Sequence, residues 1–279
     1  MKDNKVWFIT GASKGFGLSL TKQLLNAGHK VAATSRNIAE LNEAVGIASD
    51  DFLPLQVDLV SEESVASALK KTYDTFKQID VVINNAGYGI GGTIEELSDE
   101  DTRDCFDVNV FGTLNVIRKV MPYLRKQRSG HIINISSIGG LTTGAGFDIY
   151  AASKFAVIGF TEGLSHDVKG MGIKVTVVAP GAFRTSFLSS GSLVLTKHPI
   201  DDYKPVRETH TRFLAMNGQQ AGDPEKAAAA IIKIAGEDEP PLYLLLGSDA
   251  YDRAMQKLNF LEREFGLNEE LTKSMAFQG

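Results

Sequence analysis

The chain has 279 residues, 43% of them hydrophobic and 23% charged, which is enough apolar material for one α/β domain spanning residues 1–279. The net charge is −5 and the basic residues are dispersed, which excludes the basic stripe that a nucleic-acid-binding surface requires. A single cysteine, five scattered histidines and only short apolar runs predict a cytoplasmic protein without a metal site or membrane anchor.

Short runs rich in Val and Ile alternate with longer amphipathic stretches, and the short runs are continuously apolar, as in strands buried on both faces of a parallel sheet. This pattern predicts a single doubly wound, Rossmann-type domain with about seven mostly parallel strands and helices on both faces. Strands are predicted at residues 6–10, 30–35, 52–57, 81–84, 131–136, 174–178 and 242–246. Helices are predicted at residues 17–27, 38–48, 61–76, 99–126, 150–168, 224–235 and 248–265.

A glycine-rich segment directly follows the first predicted strand and leads into a helix: Thr10-Gly11-Ala12-Ser13-Lys14-Gly15-Phe16-Gly17. Glycines permit a tight turn there and let backbone N–H groups approach a pyrophosphate at the positive end of the helix. The alternative is a tight turn without a ligand. Its position between a strand and a helix favours dinucleotide binding.

The end of the second predicted strand bears on the choice of dinucleotide. An NAD site of this kind carries Asp or Glu there for the ribose 2′-hydroxyl, whereas this chain has Ser35 followed by Arg36. Arg36 and Lys14 in the glycine loop suit a 2′-phosphate, although both are also compatible with solvated surface charges. NADP(H) is therefore predicted over NAD(H).

Tyr150 and Lys154 lie four residues apart on a predicted helix, so their side chains share one face. A nearby ammonium lowers the pKa of a tyrosine hydroxyl and makes it a better acid or base near neutral pH. The spacing alone is common on helix surfaces. Its interpretation depends on the other motifs in the chain.

Together these motifs resemble the short-chain dehydrogenase/reductase family in its compact, non-extended branch, and the resemblance covers most of the chain. It rests on motifs that occur in the family's order and spacing. They are Thr10-Gly11-xxx-Gly15-x-Gly17, Asp58, Asn84-Asn85-Ala86-Gly87, Asn109, Ser136-Ser137, Tyr150-xxx-Lys154 and Pro180-Gly181.

The resemblance implies a catalytic set of four residues. Tyr150 would be the acid or base, and Ser137, 13 residues before it, would hydrogen-bond the reacting oxygen. Lys154 would hold the nicotinamide ribose and tune Tyr150, and Asn109 would support a proton-relay water. By the same resemblance, Asp58 would meet the adenine edge, Pro180 and Gly181 would lie beside the nicotinamide, and Thr185 would contact its carboxamide.

The expected cofactor site draws on separated segments, mainly from residues 1–136, while residues 137–279 supply the catalytic helix, a substrate flap and a C-terminal extension. The expected cofactor-binding residues are Gly11, Ser13, Lys14, Gly15, Phe16, Gly17, Ser35, Arg36, Asp58, Leu59, Asn85, Ala86, Gly87, Tyr150, Lys154, Pro180, Gly181, Phe183 and Thr185.

The least regular part of the chain, about residues 186–222, falls where the family has a mobile flap over the substrate. Apolar residues near it are candidates for a substrate pocket, with plain packing as the alternative. The candidates are Ile138, Phe147, Phe187 and Leu188, with Tyr88 and Phe183 nearby.

The combined expectation is an NADPH-dependent carbonyl reductase that also runs backward as a secondary-alcohol dehydrogenase. The resemblance further implies a homodimer or homotetramer and a small-molecule substrate. The dispersed charges and the short apolar runs predict no nucleic-acid or membrane partner. Two other functions stay open: a non-catalytic dinucleotide-binding sensor or scaffold, and an epimerase or dehydratase that recycles bound NAD.

Overall fold

A computed structural model describes residues 4–189 and 191–277. The strands are β1 Val6–Ile9, β2 Lys30–Ser35, β3 Phe52–Gln56, β4 Val81–Asn84, β5 Gly89–Gly91, β6 Gly130–Ile135, β7 Ile173–Pro180, β8 Leu193–Leu195 and β9 Tyr243–Leu246. The helices are α1 Gly15–Asn26, α2 Ile38–Val45, α3 Glu62–Phe76, α4 Asp99–Phe106, α5 Gly112–Gln127, α6 Asp148–Asp167, α7 Lys204–Ala215, α8 Pro224–Ile234, α9 Ser248–Leu267 and α10 Glu269–Lys273.

Seven strands form the central sheet in the order β3-β2-β1-β4-β6-β7-β9, and every neighbouring pair is parallel. This confirms the predicted Rossmann-type sheet. The strand order reverses between β1 and β4, so the loops that leave these two strands begin side by side at the carboxyl edge. Ligands of doubly wound sheets bind at such a switch point.

Apolar side chains cover both faces of the sheet, because successive residues of a strand point to opposite sides. On β1, Val6 and Phe8 belong to one buried cluster and Trp7 and Ile9 to the other. The strands therefore lack the alternation of polar and apolar residues seen when one face meets water.

The helical region predicted at residues 99–126 is continuous in the structure but is not α-helical throughout. A π-helical turn, Asp107–Phe111, separates α4 from α5 and contains Asn109. Such turns widen a helix by one residue and occur frequently at functional sites. Within the described ranges, no helix combines the length and the apolar composition needed to cross a membrane.

The segment at residues 186–222 is more regular than its sequence suggested. It contains β8 and the 12-residue helix α7, and β8 pairs in parallel with β5 to form a second, two-stranded sheet. The pairing joins Gly89–Gly91 to the flap, with Gly89 N–H donating to the Ser192 carbonyl and Thr196 N–H donating to the Gly91 carbonyl, both at 2.7 Å. The flap is thus anchored over the loop that follows β4.

Candidate active site

The loops after β1 and β4 are tied together where the sheet order reverses. The Thr10 hydroxyl accepts hydrogen bonds from the backbone N–H groups of Asn85 and Ala86, both at 3.0 Å. In return, the Asn85 amide donates to the carbonyls of Thr10 and Gly11 at 2.9 and 3.0 Å. A Cβ atom on Gly11 would lie 2.8 Å from the Ala86 Cα, so this close approach requires glycine.

The N-terminus of α1 is free to bind an anion. Gly11 and Gly15 have φ values of +66° and +56°, which bring the chain round into the helix. Lys14 occupies the N-cap without a side-chain cap hydrogen bond, and the first turn contains no acidic residue. Unpaired N–H groups and the positive end of the helix dipole therefore fit a pyrophosphate. Thr185 lies across from this loop, 3.7 Å from where a Gly15 Cβ atom would be.

Two exposed cations flank the expected adenosine end of the site. Neither Lys14 nor Arg36 makes a side-chain hydrogen bond or ion pair with any residue that the structure describes. Ser35, at the end of β2, accepts a hydrogen bond from the Asn37 N–H at 3.2 Å, and Asn37 then caps α2. Where an NAD site carries a carboxylate, this chain therefore has the Ser35 hydroxyl, followed by the exposed Arg36 guanidinium.

Asp58 and Leu59 form the turn after β3. The Asp58 carboxylate accepts a hydrogen bond from the Val60 N–H at 3.0 Å and is otherwise exposed. The Leu59 carbonyl accepts from the Asn115 amide at 2.9 Å, and a Cβ atom on Gly112 would lie 3.0 Å from the Leu59 Cβ. The start of α5 therefore holds this turn in place.

Tyr150, Ser137 and Lys154 come together at the start of α6. The Ser137 hydroxyl accepts from the Gly139 N–H at 3.0 Å. A Cβ atom on Gly139 would lie 3.3 Å from Ser137 Oγ and 3.6 Å from Tyr150 Cε1, so the two side chains are neighbours. Lys154 lies one helical turn after Tyr150, is 5% exposed, and has its Nζ 5.9 Å from the centre of the tyrosine ring. Its ammonium donates to the Ile135 carbonyl at 3.1 Å.

Burial dominates the acid–base behaviour of this pair. It raises the pKa of Tyr150 to about 12, against the opposing influence of the nearby Ser137 hydroxyl, and it lowers the pKa of Lys154 to about 8. Tyr150 is therefore a phenol at neutral pH, whereas the lysine titrates close to the physiological range.

Ser136, the residue before Ser137, contacts the backbone of this helix instead: its hydroxyl donates to the Lys154 backbone carbonyl at 2.9 Å.

Asn109 lies in the π-helical turn, and its side chain is bound entirely within the protein. Its Oδ1 accepts from the Tyr88 N–H at 3.0 Å, and its Nδ2 donates to the Tyr88 carbonyl and the Ser153 hydroxyl, both at 3.0 Å. A Cβ atom on Gly87 would lie 3.0 Å from Asn109 Oδ1 and 3.3 Å from Lys154 Nζ. Asn109 thus holds the loop after β4 beside Lys154, and its role toward a relay water stays a prediction.

The predicted pocket residues occupy different surroundings. The ring of Phe187 lies 5.8 Å from that of Tyr150. Phe147 packs against His210 and Phe213 of α7, each at 5.0 Å. The remaining four are packed elsewhere: Ile138 is 3% exposed and contacts α9, and Leu188 is 7% exposed. Phe183 packs edge-on to Phe16 at 5.1 Å, and Tyr88 packs against the cluster that contains Ile90 and Cys105.

Two polar contacts that the sequence did not reveal hold the flap in place. The buried Glu96 carboxylate accepts from the N–H groups of Thr93 at 2.9 Å and Ile200 at 2.8 Å, and pairs with Arg207 at 2.5 Å. Arg184 donates to the Gln220 carbonyl at 3.1 and 3.3 Å. It therefore links the start of the flap to its end.

Other reactive groups are not gathered into a site. Among the residues that the structure describes, no group of three His, Cys, Asp or Glu side chains is placed to hold a metal ion. Cys105 is buried, and burial raises the pKa of its thiol to about 11, so it stays protonated at neutral pH.

The fold and the site together define an oxidoreductase that uses a nicotinamide dinucleotide, and comparison with known proteins gives its family. The model of the short chain dehydrogenase family matches residues 5–192, so the chain belongs to this family. The oxidoreductase BOA17 of Botryotinia fuckeliana is 37% identical, covering 90% of this chain and 91% of its own. A 3-ketodihydrosphingosine reductase of Bacteroides thetaiotaomicron is 36% identical, covering 87% and 88%.

Solved structures agree with this assignment. A short-chain dehydrogenase from Streptomyces avermitilis superposes with a TM-score of 0.90 at 33% identity, covering 99% of each chain. The structure of ElxO with NADP bound superposes with a TM-score of 0.74 at 27% identity, covering 89% of this chain and 99% of ElxO.

Proposed function

We propose that this chain is an NADPH-dependent carbonyl reductase that also runs in reverse as a secondary-alcohol dehydrogenase. The observation that carries the proposal is the placement of the Ser137 hydroxyl beside Tyr150, with Lys154 buried one helical turn away. A non-catalytic sensor would need the phosphate-binding loop but not this proton-transfer pair. The Bacteroides relative, named as a ketoreductase, supports the same class of reaction.

The bound dinucleotide supplies or accepts the hydride, and the protein residues handle the proton and the oxygen. In the reductive direction Tyr150 donates its hydroxyl proton to the carbonyl oxygen as negative charge develops there. Ser137 donates a second hydrogen bond to the same oxygen and holds it within reach. Charged Lys154 stabilises the phenolate that remains until it is reprotonated.

The preference for NADP(H) over NAD(H) rests on Lys14 and Arg36. Both side chains are exposed and unpaired among the described residues, and Arg36 follows the strand end where an NAD site carries a carboxylate. A guanidinium binds a 2′-phosphate with two hydrogen bonds, whereas it gains little from a 2′-hydroxyl.

The remaining parts of the proposal concern organisation and assembly. Residues 1–136 would form most of the cofactor site, and residues 137–279 would supply the proton-transfer pair and the flap.

The chain would act in the cytoplasm as a homodimer or homotetramer. Apolar side chains on α9 are exposed, with Tyr251 at 58%, Leu258 at 57% and Phe265 at 68%, and such surface favours self-association. Light scattering after size-exclusion chromatography would measure the mass, and a monomer would contradict the assembly.

The experiment that tests the proposed function follows NADPH oxidation at 340 nm across a panel of carbonyl compounds. The panel contains aldehydes, aryl and aliphatic ketones, diketones, steroids, retinoids and 3-ketodihydrosphingosine. We expect turnover with at least one compound and a higher kcat/KM with NADPH than with NADH. Tight NADPH binding without oxidation by any compound would favour the sensor instead.

A further inference from the structure

The C-terminal helix α9 begins beside the loop that follows β7. Asp249, the second residue of α9, accepts a hydrogen bond from the Ala182 N–H at 2.8 Å through Oδ2. A Cβ atom on Gly181 would lie only 2.2 Å from Asp249 Oδ1, so the carboxylate rests directly on the backbone of Gly181. One carboxylate therefore covers two successive residues of this loop.

The backbone before α9 is shaped to bring this carboxylate into place. Pro180 pairs with Leu246 of β9, and the Gly181 N–H donates to the Leu246 carbonyl at 2.8 Å. Gly247 then has a φ of +99°, and a Cβ atom on it would lie 2.6 Å from Asp249 Oδ1. A side chain at Gly181 or Gly247 would displace the carboxylate, so both glycines are needed for the contact.

The same helix also contacts the loop that carries Ser137. Ala250 and Ala254 on its buried face pack against Ile138, the residue after the serine. Arg253 donates to the Thr142 hydroxyl at 2.7 Å and to its carbonyl at 3.4 Å. Helix α9 thus bridges the two loops on either side of the reaction centre.

We propose that Asp249 is a positioning residue whose carboxylate fixes the backbone of residues 180–182 against the nicotinamide end of the cofactor. The inference rests on the proposed function, together with the family resemblance by which Pro180 and Gly181 would lie beside the nicotinamide. Charge-assisted hydrogen bonds are short and strong, and the positive end of α9 stabilises the carboxylate that makes this one. A loop held in advance keeps the ring within the narrow geometry that hydride transfer needs.

Three variants separate this role from a general effect on the helix. Asp249→Ala removes the acceptor, whereas Asp249→Asn removes the charge but keeps an acceptor oxygen of nearly the same size. Asp252→Asn makes the same chemical change one turn along, at an exposed carboxylate without a hydrogen bond among the described residues. It serves as the matched control.

The first readout needs neither substrate nor cofactor. Hydrogen–deuterium exchange in the unliganded protein should become at least about tenfold faster at the Ala182 amide in Asp249→Ala, because that amide loses its acceptor. Asp249→Asn should show a smaller increase, and Asp252→Asn none. If the Ala182 amide exchanges in Asp249→Ala at the same rate as in the wild type, the inference is wrong.

The second readout separates cofactor binding from turnover. Among the described residues Asp249 makes no hydrogen bond to the phosphate loop, so the dissociation constant for NADPH, measured by its fluorescence, should stay close to the wild-type value in Asp249→Ala. kcat with the best carbonyl substrate should fall by about 10- to 100-fold, the range of one charge-assisted hydrogen bond, and Asp249→Asn should recover most of it. An equal loss in Asp249→Asn or in Asp252→Asn would overturn the positioning role.

A further variant keeps the test decisive if Asp249→Ala does not fold. Gly181→Ala leaves Asp249 present but places a methyl group where the carboxylate lies, and the same increase in exchange at Ala182 is expected. Failure of the proposed function would look different. If the wild-type protein neither binds nor oxidises NADPH, the proposed function is wrong. The exchange measurement does not depend on activity, so it still tests whether Asp249 holds the Ala182 amide.

Discussion

Replacing Glu96 with Gln should loosen the flap. The Glu96 side chain is fully buried, and its carboxylate accepts from two backbone N–H groups and from Arg207. Glutamine has one acceptor oxygen in place of two. Its NH₂ group would face the backbone N–H groups or the Arg207 guanidinium, which are themselves hydrogen-bond donors. At least one buried N–H therefore loses its partner, and Arg207 loses its counter-charge.

The cost of this change can be worked from the contacts. An unpaired buried donor costs about 1–3 kcal/mol, and breaking a buried ion pair costs about 3–5 kcal/mol. Arg207 is 31% exposed and can turn toward water, so we take the lower end of these ranges, about 3 kcal/mol. At an unfolding entropy of about 2.1 cal/mol/K per residue over the whole chain, that loss lowers Tm by about 5 °C.

Glu95→Gln is the matched control, because Glu95 is exposed and, among the residues that the structure describes, accepts only from the Tyr203 hydroxyl at 2.8 Å. We expect it to lie within about 0.5 kcal/mol of wild type. Calorimetry gives the global change, and hydrogen exchange over residues 193–215 reports opening of the flap alone. If Glu96→Gln matches wild type in both measurements, or if Glu95→Gln loses as much stability, the assigned role of Glu96 is wrong.

The same contact should show a dependence on pH. Burial alone would raise the pKa of Glu96, but hydrogen bonds from the Ile200 and Thr93 N–H groups and from Arg207 outweigh it and lower the pKa to about 2. Because the folded-state pKa lies below the ordinary 4.5, the stabilisation is fully present above pH 4.5 and is lost as the pH falls through 2. The stability difference between wild type and Glu96→Gln should shrink over that window.

Two further predictions concern the cofactor and the proton. Arg36→Asp should lower the ratio of kcat/KM with NADP(H) to that with NAD(H) by at least about 10-fold, since it removes a charged hydrogen-bond donor and adds a repulsive carboxylate; an unchanged ratio would remove Arg36 from the cofactor site. Burial lowers the pKa of Lys154 to about 8 while Tyr150 stays protonated, so kcat/KM for reduction should be level below pH 8 and fall above it. Lys154→Arg keeps its charge and should lose that fall; a break at the same pH in both proteins would contradict the assignment.

The sequence was sufficient for the features that depend on local patterns. The apolar runs of β1, β2 and β4 end within a residue of their predicted bounds, because strands buried on both faces must be apolar throughout. Helix caps depend on equally local patterns: the Asp223 side chain accepts from the Glu225 and Lys226 N–H groups at the start of α8.

The features that sequence reasoning missed depend on contacts between distant residues. Gly89–Gly91 is rich in glycine, which strands disfavour, and it becomes a strand only because Leu193–Leu195 pairs with it from the flap. Glu96 meets Ile200 and Arg207 more than 100 residues away, and Asp249 meets Ala182 across 67 residues. No local pattern marks such partners.

Helix α7 did leave a signal in the sequence. Val206, His210 and Phe213 are spaced by four and three residues, and Pro205 stands in the first turn, where proline is tolerated. Val206 and His210 are buried, and the Phe213 ring packs on Phe147. The surrounding Gly, Pro and Asp residues obscured this spacing.

The most direct test of the central claim is turnover by Tyr150→Phe with the best carbonyl substrate from the NADPH screen. The variant keeps the ring and loses only the hydroxyl, so NADPH should bind with a dissociation constant close to that of wild type. kcat should fall by about 100- to 10,000-fold, the usual contribution of a general acid. Full turnover by Tyr150→Phe would contradict the assignment of Tyr150 as the proton donor.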